Sequence, residues 1–326
     1  MPRYRGGLPQ LEGDLFLTDA GLETDLIFNH GIEIREFAAH TLLPDTASRQ
    51  ALTEYYRRFL SLAGEIGAGF ILDTQTWKAH PHWAEALGAD ENALRSANRE
   101  SAEYIVALRE EFAGNEKPIV LNGFIGPRGD AYAPDTEVAE HEAEDYHARQ
   151  IGWLGETEID MVTAMTFAQS PEAVGVVRAA SAAGLPVVVS FTVETDGRLP
   201  SGQPLGQAIE FVDRETDSAA AYFMINCAHP DHFSHVLGDS AWARRIRGVR
   251  CNASRMSHAE LDNAEQLDNG DPVEFGESYG AMKARMPWLN VFGGCCGSDF
   301  RHVATSVSLP TTVPLGGNKS VTSAGA

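Results

Sequence analysis

The chain has 326 residues, 43% of them apolar and 22% charged, with a formal net charge of −21. That length holds one large domain or two ordinary ones. The acidity argues against nucleic acid and against anionic membrane surfaces as partners, because both need clustered Lys and Arg.

No run of about 18 apolar residues is present, the length a membrane-spanning helix would need. The opening MPRYRGGLPQLEGD lacks the apolar segment of a signal peptide, so a cytoplasmic location is expected. Four cysteines, Cys227, Cys251, Cys295 and Cys296, do not make a secreted disulfide framework, and reduced thiols are expected.

Short apolar, β-rich runs alternate with helical stretches. In chain order, strands are predicted at 15–19, 69–74, 117–124, 159–165, 185–193, 220–227, 246–253 and 289–296. Helices are predicted between them at 47–66, 91–112, 137–155, 171–183, 204–216, 230–242 and 272–285. Such alternation implies parallel strands joined by crossover helices, and eight units in one chain imply an α/β fold of the (β/α)8 TIM-barrel type. A doubly wound open sheet is the alternative, but no GxGxxG or GxxxxGK[ST] element follows any strand. Residues 1–13 read as an N-terminal arm, 14–309 as a single barrel domain and 310–326 as a flexible C-terminal tail. The segment 262–272, DNAEQLDNGDP, reads as a polar surface loop.

In such barrels the chemistry sits at the C-terminal strand ends. Cys227 ends the sixth predicted strand, and Cys295 and Cys296 end the eighth. Three thiolates can therefore converge although about 70 residues separate them in sequence. Three sulfur ligands with no clear fourth make an open zinc (Zn2+) site, and the glycines of GGCCG allow a tight turn that brings consecutive cysteines to one ion. Zinc lowers the pKa of an incoming thiol and holds it as thiolate, a strong nucleophile. The expected reaction is alkyl transfer to sulfur, with Cys227, Cys295 and Cys296 as metal ligands and catalytic centre. Cys251, at the seventh strand end, reads as a small buried hydrophobe. The pairs His80/His82 and His229/His232 read as loop or helix-start residues rather than ligands.

The motifs resemble those of the homocysteine S-methyltransferase family, zinc-dependent thiol methyltransferases that include the betaine–homocysteine and S-methylmethionine–homocysteine enzymes. The stretches that carry the resemblance are FLTDAGLETDL (16–26), DTQTWKA (73–79), NGFIGPRGDAY (122–132), VVVSFTVETDGRLPSGQPL (187–205), INC (225–227) and GGCCG (293–297). The resemblance implies a (β/α)8 barrel, zinc on Cys227, Cys295 and Cys296, and Asp19, Gly21 and Glu23 in the opening glycine turn beside the substrate. It also places Met165 and Thr166 where the family has a Glu-Thr pair whose Glu holds the amino group of homocysteine. Methionine cannot bind an ammonium as a carboxylate does, so Asp19 or Glu23 is the expected substitute.

The expected partners are a small-molecule thiol acceptor and a small methyl donor; the sequence leaves a homo-oligomer open. The lack of a glycine-rich nucleotide loop points to a sulfonium or quaternary ammonium donor, a cation that aromatic faces hold, and Trp77 is the candidate. Asn122 reads as a donor to a substrate carboxylate or a loop-fixing group, and Asn226 as a residue that orients the loop or the substrate. A methyltransferase for another thiol, a vicinal-dithiol redox protein and a non-catalytic zinc- or thiol-binding protein are the alternatives.

Overall fold

The computed structural model describes residues 1–308 other than 115, 134–136 and 265. Eight strands form: β1 (Phe16–Leu17), β2 (Gly69–Asp73), β3 (Ile119–Ile125), β4 (Met161–Phe167), β5 (Val187–Phe191), β6 (Tyr222–Asn226), β7 (Ile246–Cys251) and β8 (Val291–Gly294). They close into one barrel in sequence order, every pairing parallel, with Phe16 of β1 opposite Val291 of β8. All eight predicted strands are present, and the fold is the expected (β/α)8 TIM barrel. Runs such as Val187-Val188-Val189 suit it because each strand is covered on both faces, by the barrel lumen and by helices.

Besides the short α-helices Leu22–Thr24, Ala84–Leu87 and His258–Asp262, those that follow the strands are α1 (Thr46–Ile66), α2 (Glu91–Glu111), α3 (Glu140–Gly155), α4 (Ser170–Ala182), α5 (Leu205–Glu215), α6 (Pro230–Phe233), α7 (Pro272–Arg285) and α8 (Phe300–Ser308). The longest show why they form. Asp45 caps α1 by accepting from Ser48 N, and Gly67 ends it with φ +70°. Its buried face, including Leu52, Tyr55, Tyr56, Phe59 and Leu60, lies against the barrel core.

Two helices differ from expectation. The predicted helix 230–242 shrinks to the single turn α6, because Gly238, Asp239 and Ser240 offer the backbone local alternatives to the helix. Trp242 then seats its indole on Gly206, where no side chain stands in the way. The second difference is α8, the eighth crossover helix, which was not anticipated; Phe300, Val303 and Val307 form its apolar stripe. The expected tail, 310–326, lies outside the described residues. No described helix is long and apolar enough to cross a membrane.

Inside the barrel the side chains come in layers. Phe16, Ile71, Val120, Met161, Val188, Tyr222, Met224 and Val291 form an apolar lumen core. Residues 1–13 close it from below: Leu8 joins this core, and buried Gln10 donates to Tyr222 Oη at 3.2 Å. The strand period of two puts Asp73, Asn122, Thr163, Ser190, Asn226 and Arg250 in the next layers up. The lumen therefore turns from apolar to polar toward the C-terminal rim.

Candidate functional site

The strand ends open into a cavity of about 520 Å³. Its deep wall includes Asp19, Asp73, Thr166, Cys227, Arg250 and Cys296. The three cysteines named by their strand ends meet there, with Sγ atoms all within 4.8 Å of one another and Cys227 Sγ 3.6 Å from Cys296 Sγ.

Strand β7 is what brings them together. Cys227 N donates to the Arg250 carbonyl at 3.0 Å, and Cys295 N to the Cys251 carbonyl at 2.8 Å. The segments that follow β6 and β8 are thus pinned to the strand between them. Cys251 itself is fully buried in the core and stands outside the thiol cluster. A side chain at Gly21 would run into the Cys295 carbonyl, and one at Gly293 into Thr18. These glycines serve close approach of the first and eighth strand ends; the tight turn expected in GGCCG falls at Gly297, with φ +77°.

Three thiols this close cannot all ionise unaided. Hydrogen bonds from Cys227 and Cys296 hold Cys295 well below the ordinary thiol range, while the contact with Cys295 pushes Cys227 up and the contact with Cys227 pushes Cys296 up. A soft divalent cation removes that conflict, and three thiolates with one open position are a donor set that zinc accepts. The residues present fit such an ion.

The backbone around the cluster is strained. Cys227 and Thr166 both have positive φ, +56° and +66°. For a β-branched threonine this is an outlier, and each such residue costs on the order of 1–3 kcal/mol. Asn226 holds Thr166 in place. Its Oδ1 accepts from Thr166 N at 3.0 Å and Ser190 Oγ at 2.6 Å, while its Nδ2 donates to Thr166 Oγ1 at 2.7 Å and lies 3.9 Å from Cys295 Sγ. From the other side His258 Nε2 donates to the Cys227 carbonyl at 2.6 Å, and Glu194 lies 3.1 Å from His258 Nδ1. Tyr132 covers this histidine, ring centroids 4.3 Å apart, and its hydroxyl is 2.9 Å from Cys227 Sγ.

Below the thiols, buried Arg250 pairs with both Asp19 and Asp73. Asn122 Nδ2 donates to Asp73 at 2.7 Å and its Oδ1 accepts from Thr163 at 2.9 Å; Tyr55 reaches Asp19 at 3.3 Å. Two carboxylates share one guanidinium. Burial raises Asp19 to about 7 against the pull of Arg250, and the neighbouring charge of Asp73 adds to the rise.

Gly21, Glu23, Trp77, Met165 and Thr166 all line the cavity. Burial pushes the Glu23 carboxyl up to about 7. Trp77 Nε1 donates to the Met165 carbonyl at 3.0 Å, so these two are adjacent. Asn122 is different. Its amide is engaged at both ends within the lumen, where it supports Asp73 rather than offering a free donor to a substrate carboxylate. The segment 262–272 is more than a surface loop, because Gln266, Leu267 and Asp268 border the cavity. His229 accepts from Asp231 N as the cap of α6, and His80 bonds Tyr146 at 2.6 Å; neither belongs to the thiol cluster.

The sequence reading missed Arg250, Tyr132 and His258. Arg250 had a signal, since an arginine at an inward strand position demands buried acidic partners. Tyr132 closes the stretch NGFIGPRGDAY and His258 opens a short helix, His258–Asp262, but neither position by itself signals a contact with Cys227.

A closed parallel barrel with its polar constellation on the C-terminal rim is the architecture of a barrel enzyme. The chain belongs to the homocysteine S-methyltransferase family, whose sequence profile matches residues 16–308. Among solved structures, the oxidised form of the homocysteine methyltransferase MmuM from Escherichia coli superposes with a TM-score of 0.70 at 18% identity, covering 91% of this chain and 97% of that one. The metallated form of the same enzyme gives 0.69 at 18% identity over 91% and 96%. At this identity the likeness concerns the fold. No curated protein matches the chain significantly in sequence.

Proposed function

We propose that the chain is a zinc-dependent S-methyltransferase. It moves a methyl group from a small sulfonium or quaternary ammonium donor, of the S-methylmethionine or betaine type, to a thiol. Homocysteine is the first acceptor to consider, with methionine as product. The observation that carries this reading is the convergence of three Sγ atoms within 4.8 Å in a chain of this family.

Cys227, Cys295 and Cys296 would hold the ion, and zinc bound there supplies a Lewis acid that lowers the pKa of an acceptor thiol. The chain's own residues set the rest. His258 fixes the strained turn that carries Cys227, and Asn226 fixes the one at Thr166. Trp77, Phe124 and Tyr132 give the cavity aromatic walls, which suit a cationic donor and exclude water. Transfer needs sulfur, methyl carbon and the donor heteroatom in line. The new S–C bond forms as the old bond breaks, and its electron pair leaves with the donor heteroatom, which loses its positive charge.

The amino group of homocysteine would meet Glu23 rather than position 165, where Met165 presents no charge. Asp19 is already engaged by Arg250 and Tyr55. The same uncharged Met165 favours a second reading, in which the acceptor is another thiol.

The test offers S-methylmethionine and glycine betaine to the zinc-loaded protein against a panel of thiols, with product read by mass spectrometry and metal content measured in parallel. Methionine from the native chain, with at least about a hundredfold less from Cys296→Ala and a loss of zinc, is the expected result. Full zinc and full activity in Cys296→Ala would refute the reading.

A further inference from the structure

We propose that Lys78 is the docking point for the carboxylate of a substrate at the outer end of the cavity, an assignment that rests on the cavity taking small organic substrates. Lys78 follows Trp77 in the loop beyond β2 and lines the same cavity as the thiols. Its Nζ lies 3.7 Å from the centroid of the Trp83 ring and 5.7 Å from that of Trp77. It donates to the Glu36 carbonyl at 2.7 Å.

An ammonium has three donors, and this is its one hydrogen bond recorded among the described residues, with no ion pair. The other cation lining the cavity, Arg250, is taken up by Asp19 and Asp73. Lys78 is therefore the cavity's one cation without a carboxylate partner among the described residues. Burial pulls its pKa down from the ordinary lysine value, against the weaker attraction of Glu36, Glu23 and Asp130, none of which reaches it as an ion pair.

The segment that supplies the Glu36 carbonyl gives independent support. Glu36 and Phe37 both have positive φ, +53° and +57°, and Phe37 lines the cavity. Two successive non-glycine residues in the left-handed region cost folding energy, and such strain collects at ligand clamps. Here it aims a carbonyl at the ammonium, which two indole faces further restrain. A lone ammonium suits a carboxylate better than a phosphate, which usually draws several donors. Glu23, also on the cavity wall, would repel a dianion and suits the positive end of a zwitterion.

Docking can be read without turnover. The zinc-loaded native protein, Lys78→Met and Lys78→Arg are titrated with glycine betaine and with mercaptobutyrate, followed by tryptophan fluorescence. Choline and mercaptobutanol are the carboxylate-free counterparts. Lys78→Met should lose roughly tenfold or more in affinity for the carboxylate member of at least one pair, with little change for its counterpart. Lys78→Arg should keep most of the affinity. The pair that responds shows whether donor or acceptor supplies the carboxylate. The proposal is overturned if Lys78→Met binds both carboxylates as tightly as the native chain, or if the native chain binds neither better than its counterpart. Lys78-dependent binding without methyl transfer to any thiol would sink the methyltransferase reading and leave this one standing. Methyl transfer with KM unchanged in Lys78→Met would do the reverse.

Discussion

The two ends of the barrel treat buried charge differently. At the N-terminal end Asp160, fully buried, accepts from Arg3 N at 2.6 Å, Tyr4 N and Leu121 N at 2.9 Å each, and faces Arg109 at 3.5 Å. One carboxylate there has four partners, and an apolar core lies above it. At the C-terminal end two carboxylates share Arg250, and three thiols crowd within 4.8 Å. Thr166 and Cys227 add backbone strain at that end. The lower end stabilises the fold, whereas the upper end holds unbalanced charge and strain in a geometry suited to a cation and a nucleophile.

Removing the shared cation should have the largest effect on stability. Arg250→Met leaves two buried carboxyls without a counter-charge, and about 3–5 kcal/mol of unfolding free energy should be lost near neutral pH. Urea titration measures it, and a loss below about 1 kcal/mol would mean that the pair is solvated or easily neutralised.

A smaller loss is expected from Leu8→Ala, which cuts into the lower core. Stability should fall by about 2 kcal/mol, with zinc content and activity per folded molecule unchanged. Impaired metal binding in this variant would show that the two ends are coupled.

A third effect is read as a slope against pH. Asp19 is raised to about 7 in the fold, above its ordinary value. Between about pH 4 and about pH 7 the native state keeps a proton that the unfolded chain has released, so this group's contribution to stability falls as pH rises. Asp19→Asn should flatten the fall by at most about 1.4 kcal/mol per pH unit. Urea midpoints across that range check it, and an unchanged slope would show that Asp19 is ionised throughout.

Much of this architecture was legible in the chain. The eight strands announced themselves as short apolar runs between amphipathic stretches, and Cys227, Cys295 and Cys296 fell at the ends of the sixth and eighth. The helix after the sixth strand was overestimated, since a periodic pattern does not show where Gly238, Asp239 and Ser240 interrupt it. The helix after the eighth strand was overlooked although Phe300, Val303 and Val307 carried its period. Asn122 looked like a substrate donor, because its identity was visible and its partners Asp73 and Thr163 were not.

The sequence by itself determined the barrel and the level at which the cysteines sit, because strand period and strand–helix alternation are local properties of the chain. Tertiary structure alone decided that Arg250 neutralises Asp19 and Asp73, that Asn226 and His258 clamp the strained turns, and that Lys78 faces the cavity with no ion-pair partner among the described residues. These are pairings between residues up to 231 positions apart. Burial and charge balance depend on which side chains the closed barrel brings together, and no local pattern carries that information.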